Sequence, residues 1–172
     1  MPTVALLALL LAAGTAPAAV ETASVEEVDQ SPSRCPEDGD VVAVFTRKRE
    51  IWLCSSGEPL ARIQVALGRG GKGKKKAGDH RTPLGAYALG EPRKSGKYGL
   101  FIPIEYPTPE QAAKGHSGAA VGIHGPPRGV TEPDFPTTAV DWTLGCVATG
   151  SDADVETVAE FVRQRRPIVV VQ

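Results

Sequence analysis

The sequence of 172 residues is poor in aromatic side chains, in histidine and in net charge. Aromatic residues make up 5% of the chain, there are 3 histidines, and the formal charge at pH 7 is -1. A near-neutral chain argues against a dedicated nucleic-acid-binding protein, whose domain is usually strongly basic. Three cysteines are too few for a disulfide-dense mini-domain, and no apolar run reaches the roughly 18 residues of a membrane-spanning helix. Glycine (19) and proline (15) are plentiful, which favours short strands joined by many turns.

The first forty residues have the composition of an export leader. Residues 4–13 form an apolar run of signal-peptide length, and a small-residue stretch at 16–19 follows, although no basic residue precedes the run. We therefore expect a signal peptide at 1–19, an acidic flexible leader at 20–40 and a domain at 41–172, exported to the periplasm or cell wall. The domain holds 18 basic against 13 acidic residues, the favourable sign for a partner that carries carboxylates.

Short β-branched runs predict a mainly β fold with a single amphipathic helix. Strands are expected at 41–46, 50–54, 61–67, 85–89, 100–105, 120–124 and 168–171, with one helical turn at 109–114. Residues 152–166 have apolar side chains at helical spacing, with Ser151 as the N-cap and Pro167 as the stop. Sheets packed face to face and capped by this helix form the expected β-sandwich. The basic segment 68–78 is expected to be a solvated, disordered hairpin tip.

The odd number of cysteines points to a reactive thiol. Cys35 precedes the first strand and Cys54 ends its hairpin partner, so these two can form a disulfide in an exported protein. Cys146 is then left over, either as a buried inert side chain or as a nucleophile. His124 ends an apolar strand beside Gly125 and can supply the base that an acyl-transfer thiol needs. The other two histidines have no ligand-like spacing to a cysteine, so no metal and no other cofactor is expected.

Four segments in a fixed order carry a family signature. They are the strand–hairpin–strand region 44–68, the Thr-Pro-x-Gly-x-Tyr motif within 81–87, the Ile-His-Gly motif at 123–125 and the Thr-x-Gly-Cys motif at 143–146. Together they resemble the L,D-transpeptidase (YkuD-type) catalytic domain family, and residues 104–107 and 141–148 are most similar to its murein L,D-transpeptidase-like amidase branch. Leu144 and Ala148 stand where most members have His and Arg.

The resemblance implies a YkuD-like β-sandwich that acts on peptidoglycan stem peptides. Cys146 would attack a stem-peptide carbonyl and His124 would take up the thiol proton. The backbone N–H groups of Gly145 and Cys146 are expected to bind the oxyanion. Transfer of the acyl group to an amine would give a cross-link, and transfer to water would give hydrolysis.

Further residues are candidates for binding the substrate or orienting the catalytic pair. They are Asp141, Thr143, Gly125 and Arg128. Thr143 and Asp141 are expected to orient His124 or the loop around the cysteine. The loop 125–140 is expected to form a mobile lid, in which Arg128 binds the donor in place of the arginine that Ala148 replaces.

Two other functions are compatible with these residues. One is a murein L,D-hydrolase or amidase of the same fold. The other belongs to a different class, a non-catalytic peptidoglycan-binding module, which would have no need of His124 and Cys146. In each case we expect a monomer without a stable membrane span, whose partners are peptidoglycan stem peptides and not nucleic acid.

Overall fold

Strands dominate the computed structural model, which describes residues 34–129 and 137–172. The strands are β1 (Asp40–Phe45), β2 (Glu50–Ser55), β3 (Glu58–Ala66), β4 (Gly85–Ala88), β5 (Arg93–Ser95), β6 (Gly99–Pro103), β7 (Gly122–His124), β8 (Val147–Thr149) and β9 (Ile168–Val171). The helices are α1 (Pro109–Ala113) and α2 (Asp152–Arg165). The predicted signal peptide (1–19) and residues 20–33 of the predicted leader lie outside the described residues.

The strands form one hydrogen-bonded sheet that folds over a single main core. Their order is β4-β9-β1-β2-β3-β8-β7-β6-β5. Strand β3 joins the two halves, because its first part pairs with β2 while Val65 and Ala66 pair with β8. Two neighbouring pairs are parallel, β1 with β9 and β7 with β8. Buried side chains from both halves and from α2 share one apolar cluster, and the predicted mainly β, sandwich-like fold with one amphipathic helix is confirmed.

Helix α2 follows β8 directly and covers one end of the core. Ser151 caps it, since the serine side chain accepts a hydrogen bond from the backbone N–H of Asp154. The helix ends at Arg166, which adopts the left-handed conformation of a C-cap. Its buried side chains are Val155, Val158, Ala159, Phe161 and Val162. The predicted apolar face of the helix therefore packs against the core.

None of the described helices is long and apolar enough to cross a membrane.

A disulfide joins Cys35 to Cys54, with their Cα atoms 5.5 Å apart. Residues 35–40 are also held by backbone hydrogen bonds, because Ser56 and Gly57 donate to the carbonyls of Gly39 and Pro36. The predicted boundary of the flexible leader at residue 40 is therefore too late by about six residues. The disulfide belongs to a second, smaller apolar cluster on the outer face of β1 and β2, so both faces of β1 are buried.

The basic segment 68–78 is ordered, and the prediction of a disordered hairpin tip is wrong. Backbone hydrogen bonds join Gly70 to His80 and Gly73 to Thr82. The charge pattern was misleading because the segment turns one lysine inward: Lys74 is only 6% exposed and pairs with Asp79, which lies just past the segment. A carboxylate one residue outside the basic segment thus gives the segment its fixed conformation.

Candidate active site

The parallel pair β7–β8 brings the predicted nucleophile and base together. Ile123 lies opposite Val147, and His124 lies opposite Ala148. Cys146 comes directly before β8, and its sulfur reaches the backbone next to β7, 3.5 Å from the carbonyl oxygen of Ala120. Side chains alternate along a strand, so the position of Cys146, two residues before Ala148, falls on the face that carries His124.

The thiol of Cys146 is half-buried and protonated at rest. Burial is the main effect on its pKa, which lies above the ordinary value. Three weaker effects oppose the burial: a hydrogen bond from the backbone of Gly122 and the positive charges of Lys74 and Lys97 lower the pKa. The surroundings therefore contain groups that favour a thiolate without producing one in the resting protein.

The imidazole of His124 is buried, 1% exposed, and held in one orientation. Its Nδ1 atom lies 2.7 Å from the carbonyl oxygen of Gly125. A carbonyl can only accept, so Nδ1 carries the ring proton and Nε2 keeps a lone pair that can accept another. Burial first, and the charge of Lys97 to a smaller extent, lower the pKa of His124 to about 4 against the opposing effect of the Gly125 hydrogen bond. The imidazole is thus a neutral base at physiological pH.

Aromatic rings surround the imidazole of His124. Tyr98 stacks on it with ring centroids 3.8 Å apart, and Trp142 meets it edge-on at 5.8 Å. Phe101, on β6, lies 6.3 Å away in a parallel orientation. Such contacts restrict the ring to one rotamer and exclude water from its faces. Sequence reasoning missed this enclosure, because Tyr98 is far from His124 in the chain and only Trp142 sits inside a recognised motif.

Thr143 organises the turn that carries Cys146. Its hydroxyl donates to the carbonyl oxygen of Cys146 at 2.7 Å and accepts from the N–H of Gly145 at 3.1 Å. Backbone hydrogen bonds with Leu67 and Arg69 attach Thr143 to the end of β3. The contacts of Thr143 thus lie within the turn and at the end of β3, and it makes no hydrogen bond to His124.

Asp141 also holds this loop rather than the imidazole. Its Oδ1 atom accepts from the N–H of Leu67 at 2.9 Å and lies 3.1 Å from Nε of Arg49. The hydrogen-bond partner of the His124 ring is the carbonyl of Gly125. Of the two alternatives predicted for Asp141, its contacts lie at the loop and not at His124, whose ring is held by Gly125.

The expected oxyanion role of Gly145 is not compatible with its hydrogen bond to Thr143. Glycine is required here for another reason, since φ is +123° and a Cβ atom would lie 2.7 Å from the carbonyl oxygen of Arg81. No acceptor among residues 34–129 and 137–172 binds the N–H of Cys146. That amide stays the candidate oxyanion donor.

Arg128 is engaged in an ion pair with Asp152 at the start of α2, at 2.5 Å, and both side chains are about half exposed. Residues 130–136 of the predicted lid lie outside the described residues. The end of the predicted lid is attached to the rest of the domain, because Arg49 donates to the carbonyls of Thr138 and Ala139.

The two positions that differ from most family members lie in different surroundings. Ala148 is fully buried in β8, whereas Leu144, two residues before the cysteine, is 60% exposed.

In the described part of the chain, no group of three or more His, Cys, Asp and Glu side chains is arranged to hold a metal ion. Sequence reasoning did not single out Tyr98, which stacks on His124, Ala120, whose carbonyl lies near the sulfur of Cys146, or Lys74, whose charge acts on that sulfur. Of these, only Lys74 had a local signal, the Asp five residues further on.

Comparison with protein-family models matches residues 39–170 to the L,D-transpeptidase catalytic domain family, YkuD. The chain belongs to this family. A comparison with curated proteins gave no significant match.

Solved structures share the fold. The helical cell shape determining protein Pgp2 from Campylobacter jejuni is 24% identical with a TM-score of 0.63, over 81% of this chain and 49% of that protein. Bd1075 from Bdellovibrio bacteriovorus is 19% identical with a TM-score of 0.59, over 78% and 48%. An L,D-transpeptidase from Stackebrandtia nassauensis is 15% identical with a TM-score of 0.51, over 85% and 61%. The chain thus spans about half of the first two structures and somewhat more of the third.

Proposed function

We propose that this domain is a cysteine acyltransferase of the cell wall, a peptidoglycan L,D-transpeptidase with Cys146 as nucleophile and His124 as base. The observation that carries the proposal is the arrangement on β7 and β8. It combines a free thiol directly before β8 with a neutral, buried imidazole at the end of β7, whose Nε2 atom is left free to take a proton.

The resting pair is neutral, because the pKa of the thiol is raised and that of the imidazole is lowered. Proton transfer from Sγ to Nε2 therefore accompanies attack on the carbonyl that joins an L-centre to a D-residue of a stem peptide. The N–H of Cys146 stabilises the oxyanion, and such a donor contributes about 3 kcal/mol in comparable sites. Collapse of the tetrahedral intermediate breaks the C–N bond, and His124 returns the proton to the departing amine.

The acyl group is then held as a thioester on Cys146. Attack by an amine of a second stem peptide forms the cross-link and releases the thiol, with His124 accepting the amine proton. Water in place of the amine gives hydrolysis. Enclosure of the imidazole by Tyr98 and Trp142 limits the access of water to the base, which favours transfer.

The proposed location is outside the cytoplasm. The disulfide between Cys35 and Cys54 is of a kind that persists in oxidising compartments. L,D-transpeptidases generally act on the cell wall, outside the cytoplasm, which agrees with the proposed location. The signal peptide predicted at 1–19 agrees with this location.

Incubation of the purified protein with muropeptides, followed by mass spectrometry, tests the function. Cross-linked dimers indicate a transferase, shortened stems indicate a hydrolase, and unchanged muropeptides contradict both activities in favour of a binding module. Cys146→Ala should abolish turnover and His124→Gln should reduce it to nearly the same level, because paired catalytic residues are strongly non-additive. Lys75→Met, a change at an exposed position, is the matched control. Full activity of Cys146→Ala would exclude the proposed nucleophile.

A further inference from the structure

Lys74 is a buried cation that has no role in the catalytic steps proposed above. Its side chain is 4% exposed, and its Nζ atom lies 2.8 Å from Oδ1 of Asp79. A second donor of the ammonium group reaches the carbonyl of Lys76 at 3.1 Å. Replacing a buried ion pair by apolar residues is often neutral or stabilising, so net stability alone gives a weak reason for burying Lys74.

Asp79 ties the surrounding backbone to this lysine. Its Oδ2 atom accepts from the N–H groups of Lys75 and Lys76 at 2.8 and 2.9 Å, and Oδ1 accepts from that of Arg81 at 3.1 Å. These hydrogen bonds and the charge of Lys74 hold the pKa of Asp79 well below its usual range despite the cost of burial. The carboxylate is therefore ionised at all physiological pH values, and the pair is permanent.

On one side, the pair contacts the segment that leads to the sulfur atom of Cys146. A Cβ atom on Gly118 would lie 2.9 Å from Cε of Lys74, so this segment packs directly on the lysine stem. Ser117 donates its N–H to the carbonyl of Lys75. Two residues after Gly118, Ala120 has φ +57°, an unfavourable value for a residue with a Cβ atom, and its carbonyl lies 3.5 Å from Sγ of Cys146. An unfavourable conformation of this kind persists only where neighbouring contacts impose it.

On the other side, the same loop contacts the residue before the cysteine. Arg81, whose N–H binds Asp79, places its carbonyl oxygen against Gly145, 2.7 Å from where a Cβ atom would be. A Cβ atom on Gly68, at the start of the loop, would lie 3.0 Å from the Cα atom of Gly145. The Lys74–Asp79 pair thus fixes both backbone segments that flank the thiol.

From this geometry we propose that Lys74 is a positioning residue for Cys146, which holds the thiol in place and keeps a positive charge beside it as the sulfur becomes negative. The inference rests on the proposed function only for the identity of the nucleophile. The charged groups that act on the sulfur are Lys74 from the loop and Lys97 from the β5–β6 turn, and His124 is the titratable group on the neighbouring strand β7. Lys97 is exposed and lies over the Tyr98 ring, so solvent screens it more than Lys74.

The test is the pH dependence of Cys146 alkylation by iodoacetamide in the folded protein. Lys74→Met should raise the apparent pKa of the thiol, so that alkylation at a fixed pH below that pKa slows roughly tenfold. Lys74→Arg, which restores the charge, should recover most of the rate. Lys75→Met removes a neighbouring but exposed charge and should leave the profile unchanged.

Circular dichroism must show that each variant is folded. Lys74→Met leaves the partly buried Asp79 carboxylate without its cation, and this variant can fail to fold for that reason. The double variant Lys74→Met/Asp79→Asn removes both charges and replaces the single variant in the alkylation assay if the single variant does not fold. A smaller shift in the same direction is expected from the double variant. The inference would be overturned if folded Lys74→Met showed the same alkylation profile as the wild type. If Lys74→Met does not fold, the same result for the folded double variant would overturn it. Alkylation needs no peptidoglycan, so a wild-type protein inactive on muropeptides would contradict the proposed function and leave this inference standing.

Discussion

The substitution Thr143→Val tests whether a single hydroxyl holds the turn of the cysteine. Valine has the shape of threonine, so the change removes two hydrogen bonds without opening a cavity. It leaves the N–H of Gly145 and the carbonyl of Cys146 without the hydroxyl as a partner, and Gly145 is buried. An unpaired buried polar group costs about 1–3 kcal/mol, so we expect a loss of about 3 kcal/mol in the free energy of unfolding. For a domain of this size that corresponds to a decrease in Tm of roughly 10 °C.

Urea denaturation and thermal unfolding measure the stability, and iodoacetamide alkylation reports the state of the thiol. Thr143→Ser keeps the hydroxyl and is the matched control, which should stay within about 1 kcal/mol of the wild type. Thr143→Val should also lower turnover, because the thiol and its N–H lose their fixed geometry. Wild-type stability of Thr143→Val would show that the hydroxyl does not satisfy these backbone groups.

Three further predictions concern pH, the disulfide and the arginine of the loop. The pKa of His124 is about 4 when folded and 6.5 in the reference state, so its neutral form stabilises the protein above pH 6.5. About 3 kcal/mol should be lost as the pH falls from 6.5 to 4, measured by urea denaturation. Cys35→Ala/Cys54→Ala should cost about 3 kcal/mol, because the bridge closes a loop of 19 residues. Arg128→Ala should change stability by less than about 1 kcal/mol, since its ion pair is exposed, and should raise KM with kcat unchanged.

Each of these has a control. His124→Gln should lose most of the extra acid sensitivity, and an identical pH profile in that variant would refute the assignment to His124. For the disulfide, reduction of the wild type should match the double substitution in urea midpoint, and unequal midpoints would point to packing instead. Asp152→Asn releases Arg128 and should lower KM, opposite in direction to Arg128→Ala. If neither variant alters KM, Arg128 does not bind the donor.

Local patterns were sufficient to predict the elements whose signals are themselves local. Helix α2 has its cap, apolar stripe and stop within seventeen residues, so the predicted 152–166 and the observed Asp152–Arg165 agree. The apolar run before the His motif likewise placed His124 at the end of a strand, whereas β8 (Val147–Thr149), which brings Cys146 beside it, was not predicted. The weak strand β5 escaped prediction, since Arg93–Ser95 has no apolar residue to mark it.

Contacts between distant segments could not be read from the chain. The ring of Tyr98 stacks on His124 although 26 positions separate them, and nothing near either residue signals the pairing. The burial of Lys74 could not be predicted from the sequence either. A run of lysines is usually solvated, and only the fold decides which one turns inward to meet Asp79.

The position of β9 in the sheet has a consequence for how the domain acquires its structure. Residues 168–171 lie between β1 and β4, parallel to a strand that ends more than 120 residues earlier. Until they arrive, β1 and β4 each present an unpaired edge, and the loop that must close is long. Such a topology folds slowly, and completion waits for the last strand to be available. A chain interrupted before Ile168 therefore has two more unpaired strand edges than the complete sheet, which makes incomplete chains prone to aggregation.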